Sequence, residues 1–170
     1  MNKQKIISLK LVIASIAFLN ANVVHSAPPP SAAECDALLQ ITVTDMDFGS
    51  YVGGTTGTIV MDTTGAMIHT GVIPASGSVG TPITIDLVAP GKNCNKRNIT
   101  FTMPNSITIN NVSGSPPTAI TITNLVSDLP TNPFQVRNVN QINIGGTLTA
   151  TAGDAEAPYS GPFTVFFTFQ

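Results

Sequence analysis

Apolar and polar residues alternate one by one along most of this chain. Leu39, Ile41 and Val43 are separated by Gln40, Thr42 and Thr44, the period of a half-buried strand. The phase then flips: Met46 and Phe48 are apolar, and Asp45 and Asp47 continue the old apolar face. A one-residue change of phase within a strand predicts a β-bulge. Further strands are predicted at Thr58 to Met61, Ala66 to Ile73, Ile83 to Leu87, Ile99 to Met103, Ile107 to Ile109, around Ile120 and Ile122, and from Gln141 through Gly145-Gly146 to Ala152. Gly53-Gly54, Thr64-Gly65, Gly77, Gly80, Pro90-Gly91 and Ser115-Pro116-Pro117 punctuate the turns between them. Leu129 to Pro133 reads as an irregular link. The last run is the most apolar. Phe163, Val165, Phe167 and Phe169 share one face, with Thr164, Phe166 and Thr168 opposite. Strands this frequent, with no convincing helical period after residue 26, predict an all-β fold. The expected form is a single-domain antiparallel β-sandwich over 37–170, with an open barrel as the alternative.

The N-terminus follows a different rule. Lys3, Lys5 and Lys10 precede an apolar run from Leu11 to Leu19 that only Ser15 interrupts. That is the layout of a Sec signal peptide, and the run is too short to span a bilayer. Cleavage after Ser26 has Val24 and Ser26 at the −3 and −1 positions; cleavage after Ala27 would put Pro28 at +1. The first is preferred, so 1–26 is read as the signal and 27–36 as a Pro-rich leader. Pro28-Pro29-Pro30 cannot donate to a sheet ladder, which predicts an extended segment through Glu34. About 144 residues then remain, enough for a core that buries roughly two-thirds of the unfolded chain's surface. Export to the periplasm, cell surface or medium is the expectation.

Charge narrows the partners. The chain has 170 residues, 9% of them charged, with seven basic and nine acidic side chains. Signal cleavage removes three basic residues and no acidic one. Of those left only Lys92, Lys96 and Arg97 cluster, too few for a polyphosphate footprint, so nucleic acid is not an expected partner. No second apolar segment is long enough for a membrane span. The only two cysteines, Cys35 and Cys94, read as one disulfide in an oxidising compartment. Their spacing is neither that of a redox C-x-x-C pair nor, with a single histidine in the mature chain, that of a zinc site.

Candidate chemistry is sparse. His69 is the one mature histidine, and no G-x-S-x-G elbow accompanies it. Asp45 and Asp47 stand at strand spacing, where a regular strand cannot add the further oxygens that calcium needs. Asp154 and Glu156 read as solvated loop carboxylates. Asn98-Ile-Thr and Asn111-Val-Ser match the glycosylation sequon by chance in a chain whose signal has a bacterial form. No catalytic, metal or cofactor site is expected, and the protein is read as no enzyme.

Three segments carry a resemblance. They are ITVTDMDFG at Ile41 to Gly49, GGTLTA at Gly145 to Ala150, and APYSGPFTVFFTFQ at Ala157 to Gln170. Together they resemble the bacterial exported family called domain of unknown function 4402. The closing segment, with Tyr159, Gly161 and Phe169 at the matching places, is also similar to chaperone–usher pilins and to spore-coat-protein-U-like pilins. Pro158 and Phe166 depart from that pattern. The pilin similarity implies an immunoglobulin-like sandwich that lacks one strand, assembled with identical or related subunits and a periplasmic chaperone by strand pairing. Phe163, Val165, Phe167 and Phe169 would then form one wall of the core or of the groove, and Cys35–Cys94 would tie the N-terminal strand to a mid-domain turn. The expected function is a non-enzymatic fimbrial structural subunit. A self-complete secreted binding or adhesion module is the alternative. The leader, without a large apolar residue, makes a poor donor strand. Intact-mass measurement of the exported protein is expected to show a chain that begins at Ala27.

Overall fold

The structure, a computed structural model, describes residues 30–52, 54–89, 91, 93–111, 119–152 and 159–170, together with the backbone of residues 4–8 and 10–11. It is all-β and sandwich-like, a long curled antiparallel sheet with a small second sheet. The elements are β1 (Gln4–Ser8), β2 (Lys10–Leu11), α1 (Ala32–Leu38), β3 (Gln40–Thr44), β4 (Asp47–Val52), β5 (Gly57–Met61), β6 (Met67–Thr70) and β7 (Ile83–Val88). They continue with β8 (Ile99–Thr102), β9 (Ile107–Asn111), β10 (Ala119–Ser127), β11 (Gln141–Ala150), β12 (Tyr159–Ser160), β13 (Pro162–Phe163) and β14 (Phe166–Phe169). The large sheet has the order β3-β7-β11-β10-β9-β12-β1-β4, with the β5–β6 hairpin pairing along the second half of β11. The small sheet pairs β14 with β8, Phe169 opposite Ile99.

The interior is built from β-branched residues at alternate strand positions. Ile59, Ile85, Ile99, Ile109, Ile122, Ile142 and Ile144 are all fully buried. Such side chains suit a pleated, packed surface because their χ1 is already restricted.

The sequence shows one phase flip and the structure contains two, made in different ways. At Asp45-Met46 the expected bulge is absent. Thr44 opposes Thr84 and Asp47 opposes Thr81, three residues on in each strand, so no residue has been inserted. The chain instead leaves the ladder for two residues and rejoins it with Met46 and Phe48 buried. The bulge lies in β10, where Ile122 opposes Leu148 but Val126 opposes Gly145. Asn124 takes the extra place at φ 51, a left-handed conformation that asparagine tolerates better than most residues. Burial accordingly moves from Ile120 and Ile122 to Leu125.

The leader also differs from expectation. Instead of remaining extended through Glu34, the chain enters α1 at Ala32, and this helix of seven residues breaks the all-strand reading. Ser31 and Glu34 form a capping box. The Ser31 N–H donates to the Glu34 carboxylate at 2.6 Å, and the Glu34 N–H donates to the Ser31 hydroxyl at 3.3 Å. Those bonds, the backbone one first, hold the Glu34 carboxyl below its usual range. The Cys35–Cys94 disulfide forms with Cα atoms 5.4 Å apart. It ties this helix, not a strand, to the 3₁₀ turn Cys94–Lys96.

Asp62 organises the β5–β6 turn. Its carboxylate accepts from the Thr64 hydroxyl at 2.7 Å, the Thr64 N–H at 2.8 Å and the Ala66 N–H at 3.0 Å. The Thr64 hydroxyl bond leads the causes that hold this carboxyl below its usual range.

Two outcomes are expected. Replacing both cysteines with serine should lower unfolding free energy by ~4 kcal/mol in the chain-entropy description, measured by urea denaturation. Asp62 and Glu34 bind protons less readily when folded. Their stabilisation is therefore complete above the unfolded carboxylate range and is lost as pH falls through the depressed folded values. Melting temperature should decline from about pH 4 downward, and less so in Asp62→Ala.

Candidate functional site

The sheet almost closes on itself without the N-terminus. Asp47 and Thr81 exchange two backbone hydrogen bonds, each 2.8 Å, which joins β4 to the chain just before β7. Val52 N–H donates to Ile73 at 2.9 Å, and Ala75 N–H to Ser50 at 2.9 Å, extending that side. From there the ladder runs through β7, β11, β10 and β9 to β12. β4 and β12 are not paired with each other, and β1 lies in the slot between them. β1 runs antiparallel to β4, with Gln4 opposite Val52 and Ile6 opposite Ser50. On its other side Ile7 pairs with Tyr159 in parallel, and β2 continues beside β13 with Leu11 opposite Phe163. The segment read as an export signal thus supplies the strand that completes the sheet.

The segments singled out by resemblance contain β12, β13 and the first half of β4, while Ser50–Val52 lie just beyond them. β4 carries Phe48 and Tyr51, each 1% exposed, and the closing segment carries Tyr159 and Phe163, each 0% exposed, with residues 4–11 in place. The closing run, expected as one strand, is divided into β13 and β14, which pair in different sheets. Phe163, Val165 and Phe169 are buried, while Phe167 is half-buried against Phe101, ring centroids 5.2 Å apart. Thr164, Phe166 and Thr168 are exposed on the other face. Two motif glycines mark close approaches. A Cβ on Gly161 would come within 2.6 Å of the Thr108 carbonyl oxygen, and one on Gly145 would meet the Met61 carbonyl oxygen. Side chains there would push the closing segment from β9 and β11 from β5.

The other candidates do not converge. Asp47 is occupied by the Gly49 N–H at 2.7 Å, and Asp45 is half-buried beside it. His69 lies on β6, opposite Ile59, on the far hairpin. Lys96 is exposed in the 3₁₀ turn. Lys92, Asp154 and Glu156 lie outside the described residues. Asn98 is exposed, accepting from Gln135 at 3.1 Å, and Asn111 ends β9. Arg97 has a structural task that sequence reasoning missed. Its guanidinium donates to the Pro30 carbonyl at 2.6 Å and to the Gln170 carbonyl at 3.3 Å, holding the leader against the end of β14. An open cleft of about 410 Å³ lies between Asn98, Pro133, Phe134 and Arg137. Its one charged lining group, Arg137, donates to Gln135 at 2.7 Å. Among the described residues no helix is long and apolar enough to cross a membrane.

A family model described as a domain of unknown function, DUF4402, matches residues 39–169. The chain belongs to this family. No curated protein and no solved structure matches it. The DUF4402 match begins just before β3 and ends within β14. It contains both lips of the slot and omits the segment that fills it. The chemistry this DUF4402 site offers is therefore backbone pairing along two facing strand edges.

Phe163→Ala should cost about 3–5 kcal/mol of stability as a buried aromatic truncation. Phe166→Ala, on the exposed face, should stay within about 0.5 kcal/mol of wild type. Chemical denaturation of both variants tests the assignment of faces.

Proposed function

We propose that this protein is a non-enzymatic, exported bacterial surface protein, a fimbrial or pilin-like structural subunit that assembles by β-strand complementation. The observation that carries the reading is the slot. The circuit that runs from β4 through Thr81, β7, β11, β10 and β9 to β12 is completed by a strand lying ahead of the family domain, inside the segment with the layout of an export signal. Cleavage of that segment would take away the strand that pairs with both β4 and β12. An open strand edge templates the addition of a strand from another chain: main-chain hydrogen bonds supply affinity, and pockets for alternate side chains supply specificity. A periplasmic chaperone would hold the slot before assembly. Pilin-like assembly also fits the closing segment, with Tyr159 and Gly161 packed where the strand borders the slot.

The alternative, a self-complete binding module, draws on the same pairing: a chain that kept residues 4–11 would close its own sheet. Electrophoresis of sheared cell-surface material, unheated and boiled, separates the two. Multimers that collapse to monomer on boiling are the expected outcome. A monomer band in both lanes with residues 4–11 retained would favour the self-complete module.

A further inference from the structure

We infer that the cleft between residues 130–134 and the turn 135–139 is a binding site for a small carboxylate of the sugar-acid class. The inference stands apart from strand pairing. No residue lining the cleft belongs to β1, β4, β12 or β13.

Both walls are fixed by hydrogen bonds. Residues 130–134 are pinned to β8. Asn132 Oδ1 accepts from the Phe101 N–H at 3.0 Å, and Asn132 Nδ2 donates to the Phe101 carbonyl at 2.7 Å. Phe134 exchanges two backbone hydrogen bonds with Ile99, at 2.7 and 3.0 Å. The facing turn is closed on the Gln135 carbonyl, which accepts from the Asn138 N–H at 2.9 Å and the Val139 N–H at 3.0 Å. The Arg137 N–H donates to the Asn95 carbonyl at 3.1 Å and ties that turn to the 3₁₀ turn Cys94–Lys96. A site whose walls are already ordered loses little entropy when a ligand enters.

A relay of side chains then sets the charged group. Gln135 Nε2 donates to Asn98 Oδ1 at 3.1 Å, and Gln135 Oε1 accepts from Arg137 Nε at 2.7 Å. The guanidinium is thus held by its inner nitrogen. Among the described residues Nη1 and Nη2 meet no partner, and no acidic residue lines the cleft. Two parallel donors held in this way form the fork that matches a carboxylate. The fold also concentrates charge here. Four basic residues follow residue 26, and the bond to Asn95 brings Arg137 beside the turn that carries Lys96 and leads into Arg97. Arg97 is already engaged with Pro30 and Gln170.

The remaining lining describes the rest of the ligand. Asn98, Thr131, Gln135 and Asn138 offer side chains that both donate and accept, which suits hydroxyl groups. The exposed rings of Pro130 and Pro133 give the cleft an apolar side. A phosphate would call for more than one cation around it, and Arg137 is the only charged lining group. The volume, about 410 Å³, lies near the lower end of the ~300–1,000 Å³ of small-molecule sites. It admits one or two sugar rings and not a folded partner.

Calorimetric titration of the exported protein tests this, with glucuronate, galacturonate, their neutral parents glucose and galactose, and N-acetylglutamate. At least one of the two sugar acids should bind, and its neutral parent should bind at least about tenfold more weakly. Arg137→Lys keeps the charge and loses the fork, and should weaken the acid by about tenfold or more. Gln135 is a positioning residue: Gln135→Met should narrow the preference for acid over neutral sugar without moving the melting temperature. Equal binding of acid and neutral sugar, no binding of any sugar, or full affinity in Arg137→Lys would overturn the inference. An unchanged preference in Gln135→Met would overturn the relay, and N-acetylglutamate binding as tightly as the sugar acid would overturn the ligand class. None of these outcomes depends on whether heat-sensitive multimers form.

Discussion

A backbone N–H or C=O taken out of water must find a partner, and in this fold that demand falls on two facing edges. β4 and β12 lie one strand apart, and Tyr51 and Tyr159 on them are buried. Every other neighbour in the circuit, from Thr81 round to β9, is supplied by the family domain itself. A strand between these two edges pairs with both at once, so its presence contributes hydrogen bonds to each side of the sheet.

The N-terminal end is constrained by a second set of bonds that act together. The capping box starts α1 immediately after the prolines, the disulfide fixes that helix to the 3₁₀ turn, and Arg97 holds Pro30 and Gln170 at once. Pro30 and Gln170 are thereby held together beside β14, while β1 and β2 run along β12 and β13. The closing segment is thus divided, with β14 paired to β8 and with β12 and β13 paired to the N-terminal strands.

Much of this was legible in the chain. The alternation of Ile, Val and Phe with Thr marked nearly every strand, because a half-buried strand repeats every two residues whatever it pairs with. The disulfide followed from there being two cysteines. The inward face of Phe163, Val165 and Phe169 followed from spacing alone. The helix was missed although Ser31 and Glu34 stand at capping-box spacing, because seven residues are too few for a helical period to show. Leu125 was missed as core because a bulge at Asn124 shifts the phase, and the signal was a single Asn within an apolar run. The converse error came at Asp45-Met46, where a true phase flip is made without any inserted residue.

Pattern and composition by themselves determined the class of fold, the inward faces of its strands and the covalent tie, since all of these depend on local period and residue type. Which strands are neighbours was a tertiary decision. Nothing local in Asp47–Val52 says that one edge meets Thr81 and Ile73 while the other lacks a family partner. Nor does anything local say that Tyr159 lies one strand away. Pairing joins residues more than a hundred positions apart, and hydrogen-bond donors and acceptors are the same in every residue but proline. The slot exists only where the curled sheet brings those two edges face to face.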